Sequence, residues 1–227
     1  MNFLISLADF FLPRFCTACK EKLKPDEKYV CPDCLKKIKF ADKERIASEF
    51  KRKFEEKKII SGFSSLFVFE KDKELQNVIH DLKYNQRFLI GKYLGKKMGE
   101  SLYSIFKEWG INLIMPVPLH SLKKAERGYN QSLYITKGLS IESRIPFSNR
   151  TLKRIRFTFS QTTMTLKERQ ENVREAFKIA HSGKIKGKNI LLIDDVITTG
   201  ATVSECGKAL LNAGAGKVYA ASAAIAD

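Results

Sequence analysis

Apolar residues recur along this chain in two different rhythms. Ile190-Leu-Leu-Ile193 is an unbroken apolar run and Ile111-Asn-Leu-Ile-Met115 a mostly apolar one, each bounded by polar residues or prolines, the pattern of strands buried on both faces of a parallel sheet. Leu66–Phe69 is a further β-rich run, and Val218–Ile225 is a strand of small residues. Between them the spacing lengthens to the helical period. Leu75, Val78, Ile79 and Leu82 share one face, a second helix runs from about Phe88 to Phe106, and Val203, Cys206, Ala209, Leu210 and Ala213 line a third that ends at Ala213-Gly214-Ala215-Gly216. Strands alternating with helices predict an α/β domain built on a parallel sheet. Cys206 belongs to its core, and His80, among polar neighbours, to its surface. Upstream, residues 42–58 are mostly charged, with Ile46, Phe50 and Phe54 at helical spacing, and read as a helical connector. Phe3, Leu4, Leu7, Phe10 and Phe11 share a helical face that packs on its own domain or lies on a membrane.

The chemistry concentrates where the Ile190 strand ends. Asp194 and Asp195 close it, and Val196-Ile197-Thr198-Thr199-Gly200-Ala201-Thr202 leads into the next helix. Loop N–H groups, the free donors of the helix's first turn and three threonine hydroxyls can converge on one phosphate, and Gly200 lets the backbone approach it closely. The two carboxylates can accept hydrogen bonds from vicinal hydroxyls, so strand end and loop together suit a ribose 5-phosphate. A Walker B strand also ends in paired acids, but it requires an upstream Gly-x4-Gly-Lys-Ser/Thr loop. Gly91, Gly95 and Lys96, like Gly183, Gly187 and Lys188, have the wrong spacing and no hydroxyl residue after the lysine.

A second loop should face the same crevice, because loops at the carboxyl ends of parallel strands line the ligand site. Pro116-Val117-Pro118-Leu119-His120 ends the Ile111 strand, since proline cannot donate to a ladder. Farther on, Arg127 can fork onto phosphate oxygens beside Gly128, or the stretch is simply a capped helix start.

Charge adds a possible polyanionic partner. The 227 residues carry a net +16, and residues 111–189 hold 16 basic against 5 acidic side chains. That excess is more than one small ligand needs and makes a surface for nucleic acid a competing use, with Tyr129, Tyr134, Phe157 and Phe159 interleaved among the cations. The alternative is a merely soluble lysine-rich face. No apolar stretch of transmembrane length occurs, and Asp9 and Pro13-Arg14 interrupt the first residues as a signal peptide, so a cytoplasmic protein is expected.

Cys16-x2-Cys19 and Cys31-x2-Cys34 form two knuckles separated by eleven residues. Each offers two thiolates to one metal, and two knuckles complete a closed tetrahedral site, the chemistry of structural zinc. Two disulfides or an iron–sulfur cluster are the rival readings. Loss of Cys16 or Cys31 is expected to release the metal and leave the rest of the protein folded.

Ile190–Thr202 resembles the fingerprint for 5-phosphoribosyl-1-diphosphate (PRPP) in type I phosphoribosyltransferases. Pro-Val-Pro-Leu-His, Arg127-Gly-Tyr-Asn-Gln-Ser132, Gln161, Arg169-x2-Asn172-Val173, Ala176-Phe177, Leu82-Lys83-Tyr84 and the four-cysteine module resemble the ComF family of competence-associated, phosphoribosyltransferase-like proteins. The resemblance implies an α/β type I phosphoribosyltransferase fold with a mobile flap at 155–172 and a small N-terminal zinc module. Residues 1–41 would be the N-terminal helix and zinc module, 42–60 the connector and 61–227 the phosphoribosyltransferase domain. It further implies that Asp194 and Asp195 hold the ribose, Thr198, Thr199, Gly200, Ala201 and Thr202 the 5-phosphate, and Pro118, His120 and Arg127 the pyrophosphate, with magnesium accompanying PRPP. His120 is a candidate base; no other presents itself. The family association extends the partners to single-stranded DNA and competence proteins such as an import helicase. Three functions stay open: a phosphoribosyltransferase of DNA uptake, a PRPP- or DNA-binding factor without turnover, and a nucleobase phosphoribosyltransferase of salvage.

Overall fold

The computed structural model describes residues 13–71, 73–155 and 175–226. Four parallel strands form the sheet in the order β1 (Phe63–Val68), β6 (Val218–Ile225), β5 (Ile190–Ile197), β2 (Leu113–Pro116). On one face pack α3 (Glu74–Tyr84), α4 (Phe88–Glu108) and α6 (Gln131–Ser143), burying Leu82, Leu94, Met98, Phe106, Ile135 and Leu139 against Leu191 and Ile193. On the other lie α7 (Ala201–Asn212), the connector and an antiparallel pair, β3 (Leu152–Arg154) and β4 (Phe177–Ile179), over Ile190 and Leu192. The alternation of 190 and 192 with 191 and 193 is the two-residue pleat, which explains why a fully apolar run was needed. Each such fully buried aliphatic side chain contributes roughly 1.5–3 kcal/mol by leaving water.

α4 and α6 lie so close that a Cβ on Gly95 would fall 1.9 Å from the Ile135 carbonyl oxygen. Gly91 and Gly95, one of the two glycine pairs that fail as a nucleotide loop, are therefore used for helix packing.

Two strands differ from the sequence reading. β1 begins at Phe63 rather than Leu66, because Ser64 and Ser65 are buried within it and the Ser65 hydroxyl finds the Phe67 carbonyl at 3.1 Å and the Ser222 carbonyl at 3.3 Å. Pro116 remains in β2, paired with Ile193, and the Val117 N–H still reaches the Ile193 carbonyl at 2.9 Å. Proline is tolerated there because β2 is an edge strand.

The cysteine module, with α1 (Pro32–Lys37), is joined to the same core as α3 and α4: Cys16, Ala18, Leu23, Val30, Cys34 and Ile38 are buried in one cluster with Leu75, Val78 and Leu82. Asp81 clamps the junction, accepting from Lys20 at 3.1 Å, Arg87 at 3.0 Å and Asn85 at 2.7 Å. Burial alone would raise its carboxyl, but these donors outweigh it and hold the group below the ordinary carboxylate value. The connector is α2 (Lys43–Phe50), capped by Asp42, running into a π-helical turn, Lys51–Glu55. The first twelve residues with their apolar face, and most of the flap, including Arg156, Phe157, Phe159, Gln161, Arg169, Asn172 and Val173, lie outside the described residues.

Candidate functional site

Unequal strand lengths make the crevice. β2 leaves the sheet after Val117, whereas β5 continues beside β6 to Ile197, so Asp194 and Asp195 stand where β5 has lost its β2 neighbour. The Asp195 N–H donates instead to Asp194 Oδ1 at 2.9 Å. Ser132, at the start of α6, donates to the same oxygen at 2.9 Å. Asp195 Oδ2 pairs with Lys83 Nζ at 3.1 Å, and its Oδ1 accepts the Val196 N–H at 2.7 Å. Burial, reinforced by the neighbouring Asp195 charge, raises the Asp194 carboxyl to about 7 against the opposing pull of Ser132, the Asp195 N–H and Lys83.

Residues 198–202 wrap a cavity of about 80 Å³ bounded by Asp194 and Val196–Val203. Gly200 sits at φ 71°, ψ 0° as the N-cap of α7 and has no side chain to cap it, while the Ala201 N–H donates to Thr199 Oγ1 at 3.4 Å. A Cβ at Gly200 would meet the Phe54 ring at 2.6 Å, so both backbone hand and space exclude a side chain. A helix N-terminus inside a threonine-lined cup is a good receptor for a phosphate dianion.

The expected pyrophosphate residues lie on and just before α5 (Ser121–Arg127) and are not among those lining the cup. His120 is the N-cap of α5, its Nδ1 accepting the Leu122 N–H at 3.3 Å, which gives it a structural duty beyond ligand contact. Arg127 ends that helix with its guanidinium 5.4 Å from the Tyr84 ring centroid and one nitrogen 3.3 Å from Gln131 Oε1. Its Nε and the Gln131 amide nitrogen are buried without a hydrogen-bond partner among the described residues. Pro118 lies in the loop between β2 and α5, where Asn130 Nδ2 ties down the Val117 carbonyl at 3.0 Å.

The two tyrosines read as nucleic-acid contacts, and one cation of the same basic stretch, are occupied otherwise. Tyr129 is buried, its hydroxyl bonded to the Leu82 carbonyl, and it packs with Tyr134 and Phe88, so neither tyrosine presents a free stacking face. Arg154 is half-buried with its guanidinium over the Phe177 ring at 5.4 Å, whereas Lys153 is exposed.

The sequence reading assigned no role to Lys83, Ser132, Gln131 or Lys53. Lys83, Gln131 and Ser132 fall inside the quoted family runs, the one signal that marked them. Lys53 looked like any other lysine of a charged helix.

The four cysteine sulfurs lie within 4.8 Å of one another, with Cys19 and Cys31 at 4.0 Å, and all are free thiols. That spacing and an all-sulfur donor set fit a tetrahedral thiolate metal centre. Burial opposes ionisation of Cys16, but N–H groups of Cys31, Cys19 and Ala18 outweigh it and bring the thiol down to about 7. Among the described residues no helix is long and apolar enough to cross a membrane.

Comparison with known proteins agrees with this architecture. Residues 120–225 match the phosphoribosyl transferase domain family. Competence protein F of Haemophilus influenzae is 32% identical over 144 residues, covering 62% of this chain and 63% of that protein. DNA utilization protein YhgH of Salmonella typhimurium is 30% identical over 147 residues, 63% and 64% of the two chains, and competence protein ComFC of Bacillus subtilis 21% over 201 residues, 88% and 79%. The match thus spans slightly under two thirds of the first two relatives. With the phosphoribosyltransferase fold, the Asp-Asp strand end, the threonine cup and the cysteine quartet together, the chain is similar to these competence and DNA utilization proteins and carries a phosphoribosyl transferase domain over residues 120–225.

Proposed function

We propose that this protein binds PRPP at the β5–α7 junction and acts, with a structural zinc, in the handling of single-stranded DNA during uptake. The observation carrying the proposal is the adjacency of a strand end bearing two carboxylates to a helix N-terminus, with Asp194 and residues 196–203 lining one 80 Å³ cup. Asp194 and Asp195 would accept from the ribose 2- and 3-hydroxyls, Thr198–Thr202 would enclose the 5-phosphate, and Arg127 with the 118–120 loop would face the pyrophosphate. The unpartnered donors of Arg127 and Gln131 suit an acceptor-rich group such as pyrophosphate. Magnesium bound with PRPP would supply charge neutralisation of the leaving group. The relatives named for competence and DNA utilization support the biological setting. A competence partner such as an import helicase belongs to the same proposal.

Calorimetric titration with PRPP and magnesium tests the site: binding is expected in the parent and lost in the Asp194→Ala/Asp195→Ala double variant. Unchanged affinity there would overturn the reading. Pyrophosphate release with a panel of nucleobases then decides turnover. A binding factor without turnover is the second reading, favoured by His120, the candidate base, capping α5 through Nδ1. For that reading, single-stranded DNA affinity should fall with salt by about 0.7 log units per log unit for each phosphate neutralised.

A further inference from the structure

The connector reaches the phosphate cup from beneath. Lys53, in the π-helical turn, is 7% exposed, and its ammonium meets three acceptors: the Thr198 carbonyl, the Ala226 carbonyl at 2.9 Å and Glu49 Oε2 at 2.9 Å. An ammonium has three N–H donors, so each is matched. Thr198 is the first residue of the cup, and Ala226 follows β6, the strand beside β5. Phe54, 1% exposed, fills the space directly under Gly200. In a regular α-helix the side chains would follow a 100° step; the wider π turn changes that phase locally, and such turns concentrate at working sites.

Electrostatics point the same way. Glu49 is 3% exposed and is surrounded by Arg45 at 2.9 Å, Arg52 at 2.7 Å and Lys53 at 2.9 Å. Three cations around one carboxylate leave net positive charge beneath a cup shaped for a dianion. Burying a lysine is costly unless each donor is used, and a connector that only linked two modules would have no need to do so.

We propose that Lys53 is a positioning residue for the phosphate cup, fixing the Thr198 carbonyl so that the 198–202 donors converge, with Phe54 as the floor that holds Gly200 in place. This rests on the reading of the cup as the 5-phosphate site. The connector is then part of the ligand-binding domain rather than a tether to it.

The test uses the full chain and three probes: ribose 5-phosphate, PRPP with magnesium, and inorganic pyrophosphate, each titrated calorimetrically well below the melting temperature. Lys53→Met should weaken ribose 5-phosphate and PRPP by roughly tenfold or more and leave pyrophosphate unchanged, since Arg127 and the 118–120 loop, proposed to hold pyrophosphate, do not line the cup. Should Lys53→Met not fold, Phe54→Leu, which keeps the ammonium and opens the floor, should weaken ribose 5-phosphate about threefold to tenfold with pyrophosphate again unchanged. A role in stability alone predicts lower melting temperature with all three affinities retained in the folded protein, and that result, or an equal loss for all three, overturns the inference. If the parent itself binds neither ribose 5-phosphate nor PRPP, the cup assignment fails and takes this inference with it; parent binding with unaltered variants removes the inference alone.

Discussion

Lys83 Nζ lies 3.1 Å from Asp195 Oδ2, so the carboxylate proposed to hold the ribose already has a counter-ion. Asp195 is 8% exposed, and an uncompensated carboxylate there is costly. Lys83→Met should therefore lower unfolding free energy by about 1–3 kcal/mol at neutral pH. Ribose 5-phosphate, by giving Asp195 hydroxyl donors, should then raise the melting temperature of the variant more than that of the parent. Thermal shifts measured with and without the ligand check this, and equal shifts would contradict it.

Asp194 gives the protein a distinctive pH response. Its folded carboxyl is raised from the ordinary aspartate value to about 7, so the folded chain holds a proton that the unfolded chain releases. The associated stability is complete in acid below the unfolded value and is lost as pH rises through 7. Asp194→Asn, which keeps an acceptor for Ser132 and the Asp195 N–H, should be more stable than the parent by roughly 2–4 kcal/mol at pH 8, with the difference shrinking towards pH 4. Urea denaturation across that range measures it; a constant difference would refute the assignment.

The cysteine quartet should hold one zinc per chain, released by Cys34→Ser or by a strong chelator. Because Cys16 and Cys34 share a buried cluster with Leu75, Val78 and Leu82, metal loss should also lower the melting temperature of the main domain, which nevertheless stays folded. Elemental analysis and calorimetry together check both halves. A metal-free protein melting at the same temperature would dissociate the two.

Most of the sheet was legible because β2 and the first half of β5 are apolar runs and β6 is a run of small residues, and the candidate site could be marked because two acids at a strand end followed by threonines have few other uses. Ser64 and Ser65 hid the start of β1, since serines in a buried strand look like a loop until Ser222 supplies a partner for Ser65 across the ladder. Lys53 was invisible for a different reason. Glu49 and Lys53 stand four apart, which on a solvated helix is an ordinary surface pair; only the fold brings the Thr198 and Ala226 carbonyls to it. Tyr129 erred the other way, an aromatic among cations that is in fact a strut from α6's approach to the end of α3.

The early departure of β2 from the sheet also bears on how the protein could be redesigned. Because β5 outruns its neighbour from Asp194 onward, the binding recess is a missing row of sheet, and its depth is counted in residues of β2 rather than in the chemistry of any loop. Two residues added to β2 would carry backbone into the space now taken by Ser132 and close the recess, whereas one residue removed would bare the Ile193 carbonyl that Val117 now covers. Pro116 and Pro118, by discouraging further ladder on that edge, hold this length constant and so act as the ruler of the site.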